Sequence, residues 1–254
     1  MGPSSDMKRC AAFWILLFVI ATLFAHTRVN EIEAHVLSES LHFGKDSFGR
    51  SCIELVLVGA FESIKVIIPM GLFSLGLSFF IVLIISFSND LSRYWMRTFL
   101  DTLSSLPGFL MALALGVFFP NSQLTLVFAS FFMIFPWLTR YLESQLQSIM
   151  ARDFILASFA LGSHKLEIFK KHVFPELSRS LIAILPFLLT RLLLVETSLT
   201  FLGLGRAPEH ETWGRLLFQG RDYLIEAPWI LILTGAPLCM TLFSLHLLNH
   251  SDRI

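Results

Sequence analysis

Two ionisable residues, Arg191 and Glu196, stand inside a strongly apolar run at residues 181–201. A charge facing lipid near the middle of a bilayer costs roughly 2.5 to 3.5 kcal/mol on insertion scales, so each belongs against a bundle interior, a partner subunit or water. Five residues apart in the chain, they point about 140° from one another around a helix and do not form a simple intrahelical pair. Patterns that would signal catalysis break off. His210-Glu211 opens like H-E-x-x-H, but position 214 is Gly, so the second zinc ligand is missing. Gly203-x-Gly205 is followed by Pro208 and not by the third glycine of a dinucleotide fingerprint, and Gly44-Lys45 precedes Asp46, which is no phosphate-binding loop. The histidines are dispersed. Cys10, Cys52 and Cys239 offer no disulfide framework or metal-ligand spacing. The expectation is a chain with no catalytic residue, no metal site and no cofactor.

Residues 152–175 form the one long amphipathic, charge-rich segment between apolar runs. Phe154, Ala157, Ser158 and Leu161 fall at i, i+3, i+4 and i+7 and share one helical face. Gly162 can adopt the positive φ that ends a helix, Ser163 can cap the next, and Pro175 is expected to stop it. The second helix carries Lys165, Lys170, Lys171 and His172 beside Leu166, Ile168, Phe169 and Val173, a pattern for a membrane surface or a protein groove. Pattern alone equally allows an amphipathic loop with no partner.

The elements that position these residues are membrane spans. Of the 254 residues, 55% are apolar, and the mean hydropathy is +0.70. Both values lie in the range of polytopic membrane proteins. Net charge is zero and no basic run suggests nucleic acid. Apolar runs at 10–25, 66–87, 106–119, 124–141, 181–201 and 228–248 predict six transmembrane helices, the first an uncleaved anchor. Small residues Gly71, Ser74, Gly76 and Ser78 in the second read as a packing face. Residues 26–63 are expected to be an external loop, 88–101 a short polar connector, and Pro107-Gly108 an interruption. With the amino terminus inside, 11 of the 19 Lys and Arg fall on cytoplasmic segments, 7 on external ones and Arg191 within a span. That distribution agrees with the positive-inside rule and puts the 152–175 loop in the cytoplasm.

Five stretches together resemble one family. The loop resembles the coupling loop of ABC importer permeases, patterned E-A-A, three residues, G, nine residues, I-x-L-P, through Leu156, Ala157, Ser158, Gly162, His172, Phe174 and Pro175. Leu156 stands where the family has Glu, and Phe174 where it has Leu. HFGKDSFGR at 42–50 resembles the G-T-D-x-x-G-R-D segment of the dipeptide, oligopeptide and nickel permeases, with Gly44, Asp46, Gly49 and Arg50 matching. LDTLSSLPG resembles their D-x-x-x-x-x-P stretch, and ETSLTFLGLG at 196–205 resembles E-A-S-L-S-F-L-G-L-G. WGRLLFQGRDYLIEAPW at 213–229 resembles W-G-x-x-L-x-x-G-R-D-Y-L-x-x-A-P-W through Trp213, Gly214, Gly220, Arg221 and Asp222.

The resemblance implies an all-α polytopic protein with the type I ABC importer permease fold. It implies an anchor helix and external loop at 1–63, a permease core at 64–254 and a coupling loop at 142–180. It further implies a bacterial inner-membrane subunit for peptides or nickel, forming half of a pathway with a second homologous permease, two ATPase subunits and an external binding protein. Asp46 and Arg50 are expected to pair across a glycine-rich turn, and Arg191 and Glu196 to face a pathway or subunit interface. A non-transporting membrane scaffold and a catalytic membrane enzyme are the rival readings.

Overall fold

The computed structural model describes residues 9, 12–16, 44–46, 50–120, 122–205 and 211–249. Among these residues the chain is helical apart from turns and one isolated antiparallel bridge between Lys45 and Ser51. Helix α1 spans Cys52–Phe87, α2 Asp90–Ser105, α3 Gly108–Phe118, α4 Gln123–Met133 and α5 Phe135–Met150. Then come α6 at Asp153–Ala160, α7 at Lys165–Ile168, a π-helical turn at Phe169–Val173, α8 at Phe174–Phe201, α9 at Trp213–Arg221 and α10 at Trp229–Asn249.

Three helices are long and apolar enough to cross a membrane, Cys52–Phe87, Leu166–Phe201 and Trp229–Leu248, and two bent pairs reach that length together. That makes up to five spans among the described residues. The expected span at 10–25 lies largely outside them, although residues 12–16 are helical and Trp14 donates its indole N–H to Thr241 on α10 at 3.5 Å.

Several boundaries differ from expectation, each for a physical reason. Helix α1 starts 14 residues before position 66 and is 36 residues long, so residues 52–63 are helix and the expected boundary at 63/64 falls inside it. The charges that interrupt the apolar pattern are absorbed at helical spacing, with Lys65 Nζ 2.5 Å from Glu62 Oε1 at i+3. Residues 90–105 are helix and not a connector. Leu100 and Leu103 pack with Phe135, while Arg97 Nε reaches Glu143 on α5 at 2.6 Å and Arg140 pairs with Asp101. Only α3 lies within the expected third span, at an angle of 79° to α2 across Leu106-Pro107. The expected fourth span is broken at Ile134, where α4 and α5 meet at 45°. Pro136 in the first turn of α5 lacks an N–H and its ring crowds the preceding turn, which accounts for the break.

Pro175 does not stop a helix. Phe174 N–H bonds to the carbonyl of Phe169, five residues back, so the helix widens by one residue just before the proline and continues into α8. The fifth span therefore begins inside the expected loop.

The core lies along α1, where Val66, Met70 and Val82 pack with Leu126, Leu138 and Leu142 and with Leu188, Leu192 and Leu199 of α8. A column of hydroxyls lines the same contact. Ser74 Oγ donates to Ser130 Oγ at 3.0 Å, and Thr139 Oγ1 meets Ser78 Oγ at 3.0 Å. The small residues at 74 and 78 thus form a packing face, whereas Gly76 has open space where a Cβ would stand. Ser78→Leu is expected to overfill the α1–α5 contact, costing about 1 to 3 kcal/mol and lowering the midpoint of thermal unfolding in detergent. Gly76→Ala is expected to leave the midpoint unchanged or raise it.

Candidate functional site

The described residues present a compact loop at one end of the bundle, a buried polar knot towards the other, and the Arg191 guanidinium between them. The loop begins where α5 ends at Met150. Arg152 Nη2 lies 3.0 Å from Glu176 Oε1, tying the entry of α6 to the start of α8. Gly162 has φ +86°, and Ser163 N–H bonds to the Ser158 carbonyl at 3.1 Å. This is the six-to-one bond of a helix end with glycine in the left-handed position. Ser163 therefore closes α6 and does not cap α7, whose first turn is received by the His164 carbonyl, accepting from Glu167 and Ile168 N–H.

Inward, the loop is anchored by Ile155, Ile168, Phe169 and Val173, all buried. Outward, Phe154, Ala157 and Leu161 are exposed on α6 and its end, Leu161 at 88%. Ser158, on the same face, turns its hydroxyl back to the Phe154 carbonyl at 2.8 Å. The His172 ring stands edge-on to Phe154, centroids 5.5 Å apart, bracing the apolar ridge. Leu156 lies within α6, and Pro175 in the first turn of α8.

Towards the opposite end, Glu196 is completely buried. Its carboxylate accepts from Thr197 Oγ1 at 3.3 Å and more weakly from Thr200 Oγ1 at 3.4 Å, whose shorter bond, 2.8 Å, goes to the Glu196 carbonyl; the hydroxyls of Ser63 and Thr212 stand on its other sides. Ser63 Oγ accepts from Trp213 N–H at 3.2 Å, and the Trp213 indole donates to the Val56 carbonyl at 2.8 Å. One carboxylate thereby joins α1, α8 and the start of α9. The burial separates Glu196 from the pathway or subunit face expected for it. Trp213 and Gly214, expected in an external loop, are buried residues of α9. A Cβ at Gly214 would land on Thr200 Oγ1 and 2.5 Å from the Thr197 carbonyl, so only glycine lets α9 approach α8 this closely. No sequence signal marks Ser63 or Thr212 as neighbours of Glu196: Ser63 lies 133 residues before it, and Thr212 lies 16 residues after it in a separate element.

Outside the knot, Asp46 and Arg50 pair as expected, with Arg50 Nε 2.7 Å from Asp46 Oδ2 and Arg50 N–H 2.8 Å from Oδ1. Arg50 also reaches Glu211 at 3.3 Å, and Trp229 Nε1 donates to the Lys45 carbonyl at 3.0 Å. The 44–50 segment is thus stapled to the 211–229 segment. Gly44 supplies a positive φ of +82°, and Gly49 lies outside the described residues. Gly220 packs under Ile230 and Leu231, while Arg221 lies over Phe218 at 4.5 Å and beside Asp222 at 3.2 Å, both exposed.

Arg191 joins none of these groups. Its guanidinium lies 4.3 Å over the Trp137 ring and 5.0 Å over Phe187. Among the described residues it has no acidic partner.

A family model described as binding-protein-dependent transport system inner membrane component matches residues 74–252. The chain is 27% identical over 211 residues to a putative peptide transport system permease protein of Brucella suis, covering 83% of this chain and 71% of that one. It is 28% identical over 249 residues to the oligopeptide transport system permease protein OppC of Haemophilus influenzae, covering 95% and 80%. With OppC of Bacillus subtilis it shares 24% over 243 residues, covering 94% and 80%.

Gly214→Ala is expected to force α8 and α9 apart at the Glu196 knot and to lower thermal stability in detergent by about 2 kcal/mol or more. Gly235→Ala, where a Cβ meets nothing within 4 Å, serves as the control that leaves stability unchanged.

Proposed function

Since the chain belongs to the binding-protein-dependent transport system inner membrane component family, we propose that it is the permease subunit of an ATP-driven ABC importer of peptides, forming half of the translocation pathway. Relatives named for peptide and oligopeptide transport support the solute class. The relatives are named as transport system permease proteins, which disfavours a catalytic membrane enzyme. In this reading a second homologous permease completes the pathway, two ATPase subunits supply the energy and an external binding protein delivers the peptide. The amino terminus and the 152–173 segment lie in the cytoplasm of a bacterium, and the Asp46–Arg50–Glu211 staple lies outside.

The observation that carries this reading is the loop itself. An apolar ridge of Phe154, Ala157 and Leu161 faces outward at the position of the family's coupling loop, fixed from within by Ile155 and Ile168. Large exposed apolar side chains on a short, well-anchored helix suit insertion into a groove on a partner protein. When the ATPase pair closes around bound ATP, the ridge moves with it. The helical connection from α7 through the π-turn into α8 then carries that movement into the membrane. Leu156 replaces the family's carboxylate in α6, so the native partner's groove is less basic at that contact.

Reporter fusions are expected to place Gly162 inside the cell and Asp46 outside; an external Gly162 would end the coupling-loop reading. Leu161→Asp alters a side chain that is 88% exposed, so it should leave the stability of the chain within about 0.5 kcal/mol. The same substitution should weaken co-purification of the ATPase subunits by roughly tenfold, about 1.4 kcal/mol. Gly162→Val sets a β-branched residue at positive φ, costing about 1 to 2 kcal/mol locally. It is expected to insert normally but to uncouple ATP hydrolysis from peptide uptake in proteoliposomes. Unaltered uptake at equal expression would count against a coupling role for the turn at Gly162.

A further inference from the structure

The outer surface of this bundle is not uniform. On α1 the exposed face presents Ile68, Leu72, Phe80, Ile84 and Phe87, the composition of a lipid contact. The wall formed by α5 and α8 differs. Trp137, Tyr141, Ser144 and Ser148 fall at i, i+4, i+7 and i+11 on α5, and all are partly or fully exposed. Phe187, Arg191, Leu194 and Ser198 repeat that spacing on α8 and are likewise uncovered, while Leu188, Leu192, Leu193 and Leu199 on its other faces are buried. The two faces are joined by the Arg191 guanidinium lying over Trp137 and Phe187 and by Tyr141 Oη donating to the Ser180 carbonyl at 3.3 Å. Trp137 also walls an open cleft of about 370 Å³ shared with Phe109, Met133 and Arg140.

Arg191 lies ten residues before the end of α8, about 15 Å along a helix and so near the middle of a hydrocarbon core about 30 Å thick. It cannot lose its proton. Its aromatic neighbours hold the plane of the guanidinium but accept none of its hydrogen bonds, and among the described residues no carboxylate, carbonyl or hydroxyl does so. The donor edge is thus left open by the described residues. A planar fork of N–H donors matches a carboxylate bidentately. We propose that Arg191 is a carboxylate-recognition residue of the translocation pathway, engaging a peptide's carboxylate as it crosses the midplane. Trp137 and Phe187 hold the guanidinium in place for it. The proposal rests on the peptide-permease reading. It separates Arg191 from Glu196, whose carboxylate is consumed within the bundle.

The test uses the transporter purified with its native partner subunits and reconstituted in liposomes. Initial uptake is compared for a tripeptide and its C-terminal amide, a pair chosen so that the binding protein binds both. An amidated tripeptide carrying one Asp separates a side-chain carboxylate from a terminal one. The wild-type complex should favour carboxylate over amide, and Arg191→Met should shrink that ratio by roughly tenfold. Arg191→Lys should retain only part of it, because an ammonium keeps the charge but loses the planar fork and the stacking on the two rings. Because the binding protein is the same throughout, its own preference cancels when the two ratios are divided. A ratio unchanged in Arg191→Met, with uptake intact, would overturn the proposal and leave the permease reading standing. Loss of the second permease from the Arg191→Met complex would assign the residue to a subunit contact and overturn it as well. Absence of any peptide uptake by the complete wild-type complex would remove the permease reading itself.

Discussion

The buried carboxylate of Glu196 is the constraint on which the far end of the bundle depends. A carboxylate with no exposure persists only when hydroxyls or N–H groups satisfy its oxygens, and here the hydroxyls come from three separate stretches of chain. Ser63 fixes α1 and Thr197 and Thr200 fix α8, while Thr212 does two things at once. It caps α9 by accepting from Arg215 N–H at 3.4 Å and turns towards the carboxylate. Trp213 then locks the arrangement through Val56 and Ser63. A hydrophobic contact would hold these helices together without fixing how far one slides along another; the directional bonds of Trp213, from its N–H to Ser63 Oγ and from its indole to the Val56 carbonyl, set that register.

At the other end the chain solves a different problem. A proline at 175 removes a backbone donor and crowds the preceding turn, yet the span has to remain continuous with the loop. The π-turn at Phe169–Val173 accommodates it by widening the helix, and Phe169 and Phe174 fill the surrounding space against Phe87 and Phe79. The result is a helical path from Leu166 to Phe201 with no loop in it. The ends differ accordingly, one held by polar bonds to a buried centre and the other by aromatic packing around a widened turn.

What could be read from residues alone followed from where each property resides. The left-handed glycine at 162, the Asp46–Arg50 pair and the packing face at Ser74 and Ser78 are local features with local signatures, and all three appear as expected. The extent of α1 was hidden because Glu54, Glu62 and Lys65 break the apolar pattern, although on a helix they are readily accommodated. The helix at 90–105 was hidden because a segment with two buried leucines and many polar residues looks like a connector. Pro175 misled because its usual effect depends on the preceding turn being α-helical. The partners of Glu196 were invisible for a stronger reason: nothing in the order of residues tells that Ser63 and Thr212 meet at one carboxylate. The composition of a membrane protein and the five family-like stretches located the loop, while the contrast between Arg191 and Glu196 required three dimensions.

The path from Phe169 to Glu196 covers 27 residues, about 40 Å of helix, whereas Arg191 stands five residues, about 7.5 Å, from the knot. If the knot acts as a fulcrum, this geometry is a reducing gear. A sideways stroke delivered at Phe169 arrives at Arg191 diminished about fivefold, so a swing at the loop end becomes a much smaller shift beside the guanidinium. The bundle can then open widely at one mouth while the charged wall at its middle stays almost still.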